Sequence, residues 1–356
     1  MIRLAPQRPN QVYNPEVSAI LAAAVLLMQD PAVSALPFTP PQPRRYACHF
    51  VARAPAMNGN LDAPSWRVAP WSEEFLDIEG PGHKPQPWLK TRVKMLWDRK
   101  FLYIGAKLEE PKLWATLTQR DSVIFRDNDF EVFLDPDGDN QQYVELEMNA
   151  LNTVWDLLLP KAYRDGGPAV NEFDIAGLKT AVKLDGKLND PDHPAKGWSA
   201  TIAIPWSSIK MLSLRPVPPR DGDRWRINFS RVEWDLEVLD GKYEKIPNRP
   251  EHNWVWSPQW AINMHRPETW GFLEFQKTPR PVAPDPYWKE RCVLMDLYYK
   301  ERVYREAHGS YVKPADLGIA FKGYFVKHDT FWLASLKAKD GAVLTVREDS
   351  RLTINR

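Results

Sequence analysis

Carboxylates and amides recur at two-residue spacing in the stretch 126–160, RDNDFEVFLDPDGDNQQYVELEMNALNTVWDLLLP. Glu131 stands between Phe130 and Val132, and Glu145 between Val144 and Leu146. Side chains alternate along a strand, so both glutamates fall on the face opposite the apolar residues. An ionised carboxylate there accepts strong hydrogen bonds from hydroxyl donors; the other reading of Glu131 is a solvated strand residue. Asp135, Asp137 and Asp139 crowd the turn that follows and offer hard oxygen ligands for calcium. Gly138 is misplaced for an EF-hand and position twelve from Asp135 is no glutamate, so an ordinary acidic turn is the alternative. Asn149 adds an amide in the next turn. Arg231 and Glu233 share a strand face beside Trp234, as a ligand edge or a structural ion pair. Trp254, Trp256 and Trp260, followed by Met264 and His265, form an aromatic and polar loop that either binds a ligand or packs over one end of the fold.

Signatures of catalysis are missing. There is no Gly-x-Ser-x-Gly elbow, His-Glu-x-x-His, Cys-x-x-Cys, phosphate loop or dinucleotide fingerprint. A pair of carboxylates for hydrolysis of O-glycosyl bonds is defined by separation in space and stays open. Formal net charge is +1 with Lys and Arg dispersed, which argues against nucleic acid as a partner. The two cysteines, Cys48 and Cys292, are far apart and read equally as one bridge or two isolated thiols.

The elements that must position these residues are short strands. The 33 prolines and 16 tryptophans of the 356 residues suit short elements joined by long loops. Runs at 130–134, 142–148 and 153–159 make an antiparallel meander, and 91–97 with 101–108 make a hairpin around Asp98-Arg99-Lys100. Further alternating runs lie at 178–184, 197–204, 225–232 and 270–275. The sequence therefore predicts a mainly β chain: an antiparallel, jelly-roll-like β-sandwich over 47–276. Residues 1–46 read as a secretory signal and proline-rich linker, with the apolar run 18–28 too short to span a bilayer. A buried or amphipathic N-terminal helix is the alternative. A signal would make the mature protein secreted or periplasmic, with no transmembrane span. Residues 277–284 read as a second linker. Residues 285–356 read as one amphipathic helix, with Trp288, Cys292, Met295, Tyr299 and Val303 at helical spacing, on a small antiparallel sheet. This tail is a candidate surface for a protein partner.

An ordered set of motifs resembles family 9 carbohydrate-binding modules and the related DOMON sandwiches. It comprises Asn58-Gly59-Asn60-Leu61-Asp62-Ala63-Pro64-Ser65-Trp66, Val93 to Asp98 with Phe101-Leu102-Tyr103-Ile104, Asp129 to Asp135, Gly197 to Trp206, and Trp270-Gly271. The tail is more weakly similar to the helix-plus-sheet region of type IV pilin-like proteins. The first resemblance implies a non-catalytic β-sandwich that recognises sugars or polysaccharides, often attached to glycoside hydrolases of carbohydrate catabolism. It carries the family's carboxylate to Glu131, its first aromatic to Phe125 and its second aromatic to Met264, with Trp256 or Trp260 as substitutes; the family's arginine falls on Val144, a departure. No cofactor beyond calcium is expected on this reading. Two alternatives remain: a DOMON-type haem-binding electron carrier, with Met148, Met264 or His265 as axial ligands, and a glycoside hydrolase or its accessory module.

Overall fold

The computed structural model describes residues 38–355; the signal-like run at 18–28 lies outside the described residues. A curled sheet of twelve strands dominates. One edge begins with the meander β5 (Asp129–Asp135), β6 (Tyr143–Asn149) and β7 (Val154–Leu159). Strands β10 (Arg224–Glu233), β14 (Gly271–Gln276), β1 (Arg45–Phe50), β3 (Thr91–Trp97), β4 (Phe101–Glu109), β9 (Gly197–Pro205) and β8 (Lys179–Asp185) complete the path in the order β7-β6-β5-β10-β14-β1-β3-β4-β9-β8. The sheet curls until its two halves face each other across one core. Val93, Met95 and Ile104 from one half meet Phe130, Leu146 and Ile227 from the other.

The sandwich is mainly β, as the alternating runs predict, but it is not wholly antiparallel. Strand β1 pairs in parallel with both β14 and β3 and so joins the two halves into one continuous sheet. This strand alternates, with Tyr46 and Cys48 buried, but its first two residues, Arg45 and Tyr46, fall inside the segment expected to be linker. A second surprise is β13 (His252–Val255), which pairs with β10 and with the short β2 (Leu76–Asp77) where the sequence suggested a loop. The hairpin of β11 (Leu236–Leu239) and β12 (Lys242–Lys245) stands apart from the main sheet. A helical turn, α1 (Trp206–Ile209), follows Pro205, which presets the backbone angle at its start.

The tail has a core of its own. Helix α2 (Trp288–His308) lays Met295, Leu294 and Tyr298 against a four-stranded antiparallel sheet, β15 (Tyr324–Lys327), β16 (Trp332–Lys337), β17 (Val343–Arg347) and β18 (Leu352–Asn355). Asp285 accepts a hydrogen bond from Tyr287 N just before the helix, and Gly309 ends it in the left-handed conformation at φ 72°. Trp288, Cys292, Met295 and Tyr299 of the expected stripe are buried, whereas Val303 is exposed. Cys48 lies in the sandwich core and Cys292 on α2; both are free thiols. No helix among the described residues is long and apolar enough to cross a membrane.

Candidate functional site: a buried carboxylate face

Alternation along β5 and β6 does what the sequence requires, sending Phe130, Val132, Leu134, Val144, Leu146 and Met148 into the core between the two halves. The opposite face carries Asp129 and Glu131 on β5, with Glu145 and Glu147 on β6. Glu131 pairs across the strands with Glu147, and Glu145 with Phe133. This face is not solvated. Segments 117–128 and 257–270 fold over it, and Ile124, Phe133, Tyr143, Trp155, Met264 and Trp270 pack as a second apolar layer.

Four buried carboxylates therefore share one covered face of the sheet, and no Lys, Arg or His among the described residues lies within ion-pair distance of any of them. Oxygens of Asp129, Glu131 and Glu147 converge within 4.8 Å. Burial, and then mutual repulsion, favours their neutral forms. Burial pushes Glu131 up to about 7, partly opposed by Ser230. Burial raises Asp129, Glu145 and Glu147 too, with the Glu131 charge as the next cause for each. Glu147 accepts a hydrogen bond from Phe125 N at 2.9 Å, and Asp129 Oδ1 accepts one from Val232 N at 3.2 Å. The second oxygen, Asp129 Oδ2, is buried without a partner.

Half-buried aromatic groups, Phe125 and Trp234, lie beside this face. Trp234 donates its indole N–H to Phe125 O at 2.9 Å, and Lys245 sits 3.4 Å from the centre of the Trp234 ring. Burial draws the Lys245 amine down to about 8, against the pull of Asp127, Glu251 and Asp129. Phe125 and Met264, the two positions carried over for ring contacts, belong to the same apolar cluster over this face. Trp234 and Lys245 escaped the sequence reading as site residues because the β11–β12 hairpin that brings Lys245 back has only four residues in each strand.

Other expected residues are placed elsewhere. Trp254 sits on β13 opposite Arg231, and alternation turns it into the core, on the far side of the sheet from Glu131. Trp256 is also in that core and lies so close to Gly271 that a Cβ there would fall 2.2 Å from the indole. Both rings are 0 % exposed and have no face left for a ligand. Trp260 is 38 % exposed, against Gly80. Arg231 and Glu233 resolve as a structural ion pair. The buried guanidinium bonds Glu233 at 2.8 Å and Glu110 at 2.7 Å, and Thr91 Oγ1 completes its shell. Asn149 is spent on its own turn, donating to Leu117 O and Asp127 and accepting from Leu151 N and Thr153 N. His265 is buried and bonded to Tyr143 Oη at 2.9 Å. Burial, then the Arg164 charge, draws its imidazole down to about 3. Met148 and His265 lie on opposite faces of β6 and cannot serve one haem iron.

The aspartate turn after β5 closes as expected, bringing oxygens of Asp135, Asp137 and Asp139 within 4.8 Å. Asp135 accepts from Gly138 N and Asn140 N, and Asp139 from Gln141 N and Arg351. Asp137 accepts from Leu214 N, and its Oδ1 is buried without a partner. These bonds suffice for a tight acidic turn, and the remaining lone pairs are of the kind calcium takes.

Residues 57–165 match the family described as carbohydrate family 9 binding domain-like. The span carries a family 9-like domain match. It runs from before β2 through β7, so it includes Phe125, Glu131, Glu145, Asn149 and the aspartate turn and leaves out the 252–268 region. No curated protein matches the chain. Among solved structures, a Bacteroides uniformis protein proposed to bind carbohydrate is similar at 17% identity over 66% of this chain and 100% of its own, with a TM-score of 0.48. A family 9 carbohydrate-binding module from Caldicellulosiruptor kristjanssonii, solved with cellotriose, is similar at 16% identity over 68% of this chain and 100% of its own, at 0.41. The same module with glucose gives 15%, 67%, 100% and 0.41.

Proposed function

We propose that the protein is a non-catalytic carbohydrate-binding protein whose ligand hydroxyls are taken by the carboxylate face of β5 and β6. The observation that supports this most is the set of four buried carboxylates with no cation paired to them. Such a face demands hydrogen-bond donors, and a polyol supplies several at once without bringing charge. Phe125 and Trp234 beside it supply the apolar surface on which the C–H faces of sugar rings pack. The family 9-like match over 57–165 points the same way.

Three subsidiary proposals go with it. Calcium binds the turn of Asp135, Asp137 and Asp139, supported by the unpartnered Asp137 Oδ1. The mature chain is secreted or periplasmic, supported by the N-terminal apolar run and tested by fractionation with N-terminal sequencing. The C-terminal unit offers a protein partner the edge strand β15 with its exposed Tyr324, tested by cross-linking in native extracts with and without Tyr324→Lys. The main proposal is tested by a glycan array on the full chain, followed by tryptophan quenching with each hit. An array with no neutral saccharide retained would end it.

A further inference from the structure

The outer face of the other half of the sheet carries a second, differently charged hollow. Arg92 and Lys94 on β3 stand opposite Lys107 and Gly105 on β4. Gly105 has no side chain, and a Cβ there would meet Leu61 at 2.4 Å, so the 57–71 loop lies directly on the sheet. Residues 72–75 then run along the part of β3 that β1 leaves unpaired before Leu96. Ser72 N donates to Val93 O and Ser72 Oγ accepts from Val93 N, at 2.8 and 3.0 Å. These bonds fix Trp71 as a wall between two adjoining cavities of about 290 and 510 Å³, both also lined by Asp62. Trp71 is 36 % exposed.

Lys94 is the anomaly. Its side chain is buried, with the residue only 4 % exposed, yet no carboxylate among the described residues lies within ion-pair distance. One of its three N–H donors reaches Trp66 O at 3.3 Å, and the amine lies 4.1 Å from the centre of the Trp71 ring. The others have no protein acceptor and line the larger cavity. A buried ammonium left short of acceptors is costly unless a ligand completes it. Its surroundings are cationic: Arg67 shares its cavity, and Lys90, Arg92 and Lys107 line the adjoining one, against Asp62 and Glu109. Lys90 and Arg92 are paired outside it to Glu74, at 3.7 and 2.5 Å, and Arg67 and Lys107 are outside any ion pair among the described residues.

We propose that this hollow is a subsite for a hexuronic acid residue of an acidic saccharide, with the sugar carboxylate on Lys94 and the ring packed against Trp71. A carboxylate on Lys94 forms the charge-assisted bonds the amine lacks, and Asp62 and Glu109 are acceptors for ring hydroxyls. The inference rests on the carbohydrate reading for the sugar ring, but the site shares no residue with the Glu131 face.

The test titrates the full chain with trigalacturonate, its methyl ester and a neutral trisaccharide retained on the array, by calorimetry at low and high salt. Trigalacturonate is expected to bind, more weakly at high salt, and the methyl ester, which keeps the rings and loses the charge, at least tenfold more weakly. Lys94→Gln and the more exposed Trp71→Ala should each weaken trigalacturonate at least tenfold and leave the neutral trisaccharide unchanged. Glu131→Gln should do the reverse. Equal binding of acid and ester, no binding of the acid, or wild-type affinity in a normally melting Lys94→Gln protein would overturn the subsite. Failure of the wild-type protein to bind the neutral trisaccharide while it still binds trigalacturonate counts against the Glu131 reading and leaves this one standing.

Discussion

Glu131 owes its chemistry to burial. Its carboxyl is pushed up to about 7 from an ordinary glutamate value near 4.5, so the folded protein holds the proton more tightly than the unfolded chain does. The stabilisation linked to that proton is fully present below about pH 4.5 and is lost as pH rises through about 7. The wild-type melting temperature should therefore fall by several degrees from pH 5 to pH 8 in chelator, and Glu131→Gln should flatten that slope. A wild-type curve no steeper than the variant's would place the proton elsewhere. At Trp256 the sequence suggests stacking, whereas the structure puts the ring between Phe229 and Gly271 in the core. Trp256→Ala should cost about 3–5 kcal/mol of stability, as large-to-small core changes do. A thermal melt within a degree of wild type would contradict that packing.

At the scale of elements, the meander was legible because its two faces differ so sharply: Val132 and Leu146 against Glu131 and Glu147. That the polar face is itself covered was not, since Met264 and His265 reach it from more than a hundred residues away. Strand β13 was missed for a related reason. His252, Asn253, Trp254 and Val255 show too short a run for alternation to register, and once paired with β10 the alternation carries Trp254 away from Glu131. Arg231 and Glu233 stood in the sequence as either a ligand edge or an ion pair, and Glu110, the third partner that completes the pair, could only come from the fold. The aspartate turn was legible from composition. If it holds calcium, added Ca²⁺ should raise the melting temperature relative to chelator, and Asp137→Asn should abolish most of the rise. Equal melting of wild type with and without Ca²⁺ would leave Asp135, Asp137 and Asp139 as a turn fastened by backbone N–H groups and Arg351.

At the scale of the whole molecule, the expected boundary at 277–284 separates two cores, but a buried polar seam joins them. Arg164 bonds Glu268 at 2.9 Å and His265 O at 2.6 Å, while Tyr298 reaches Asp165 and Tyr299 reaches Glu268. Asn140 and Gln141 donate to Ser350 O and Asp349 O. None of these partners is close in sequence, so the docking left no trace in periodicity. Proteolytic cleavage within 279–284 should give two fragments that still elute together. Arg164→Met, which removes the bond to Tyr298 at 3.3 Å and takes from Glu268 its nearer cation, leaving Arg266 at 3.6 Å, should let them part. Separation of the wild-type fragments on cleavage would mean the seam does not hold.

The central claim is that the carboxylate face binds sugar through Glu131. Its most direct measurement is the affinity of wild type and Glu131→Gln, matched for thermal melting, for one neutral saccharide that quenches tryptophan fluorescence. At pH 8, above the value of about 7 at which Glu131 ionises, a hydrogen bond to the charged acceptor contributes about 1.5–3 kcal/mol, so the variant should bind at least tenfold more weakly there. Equal affinity in a normally folded variant would place the ligand somewhere other than the face of β5 and β6.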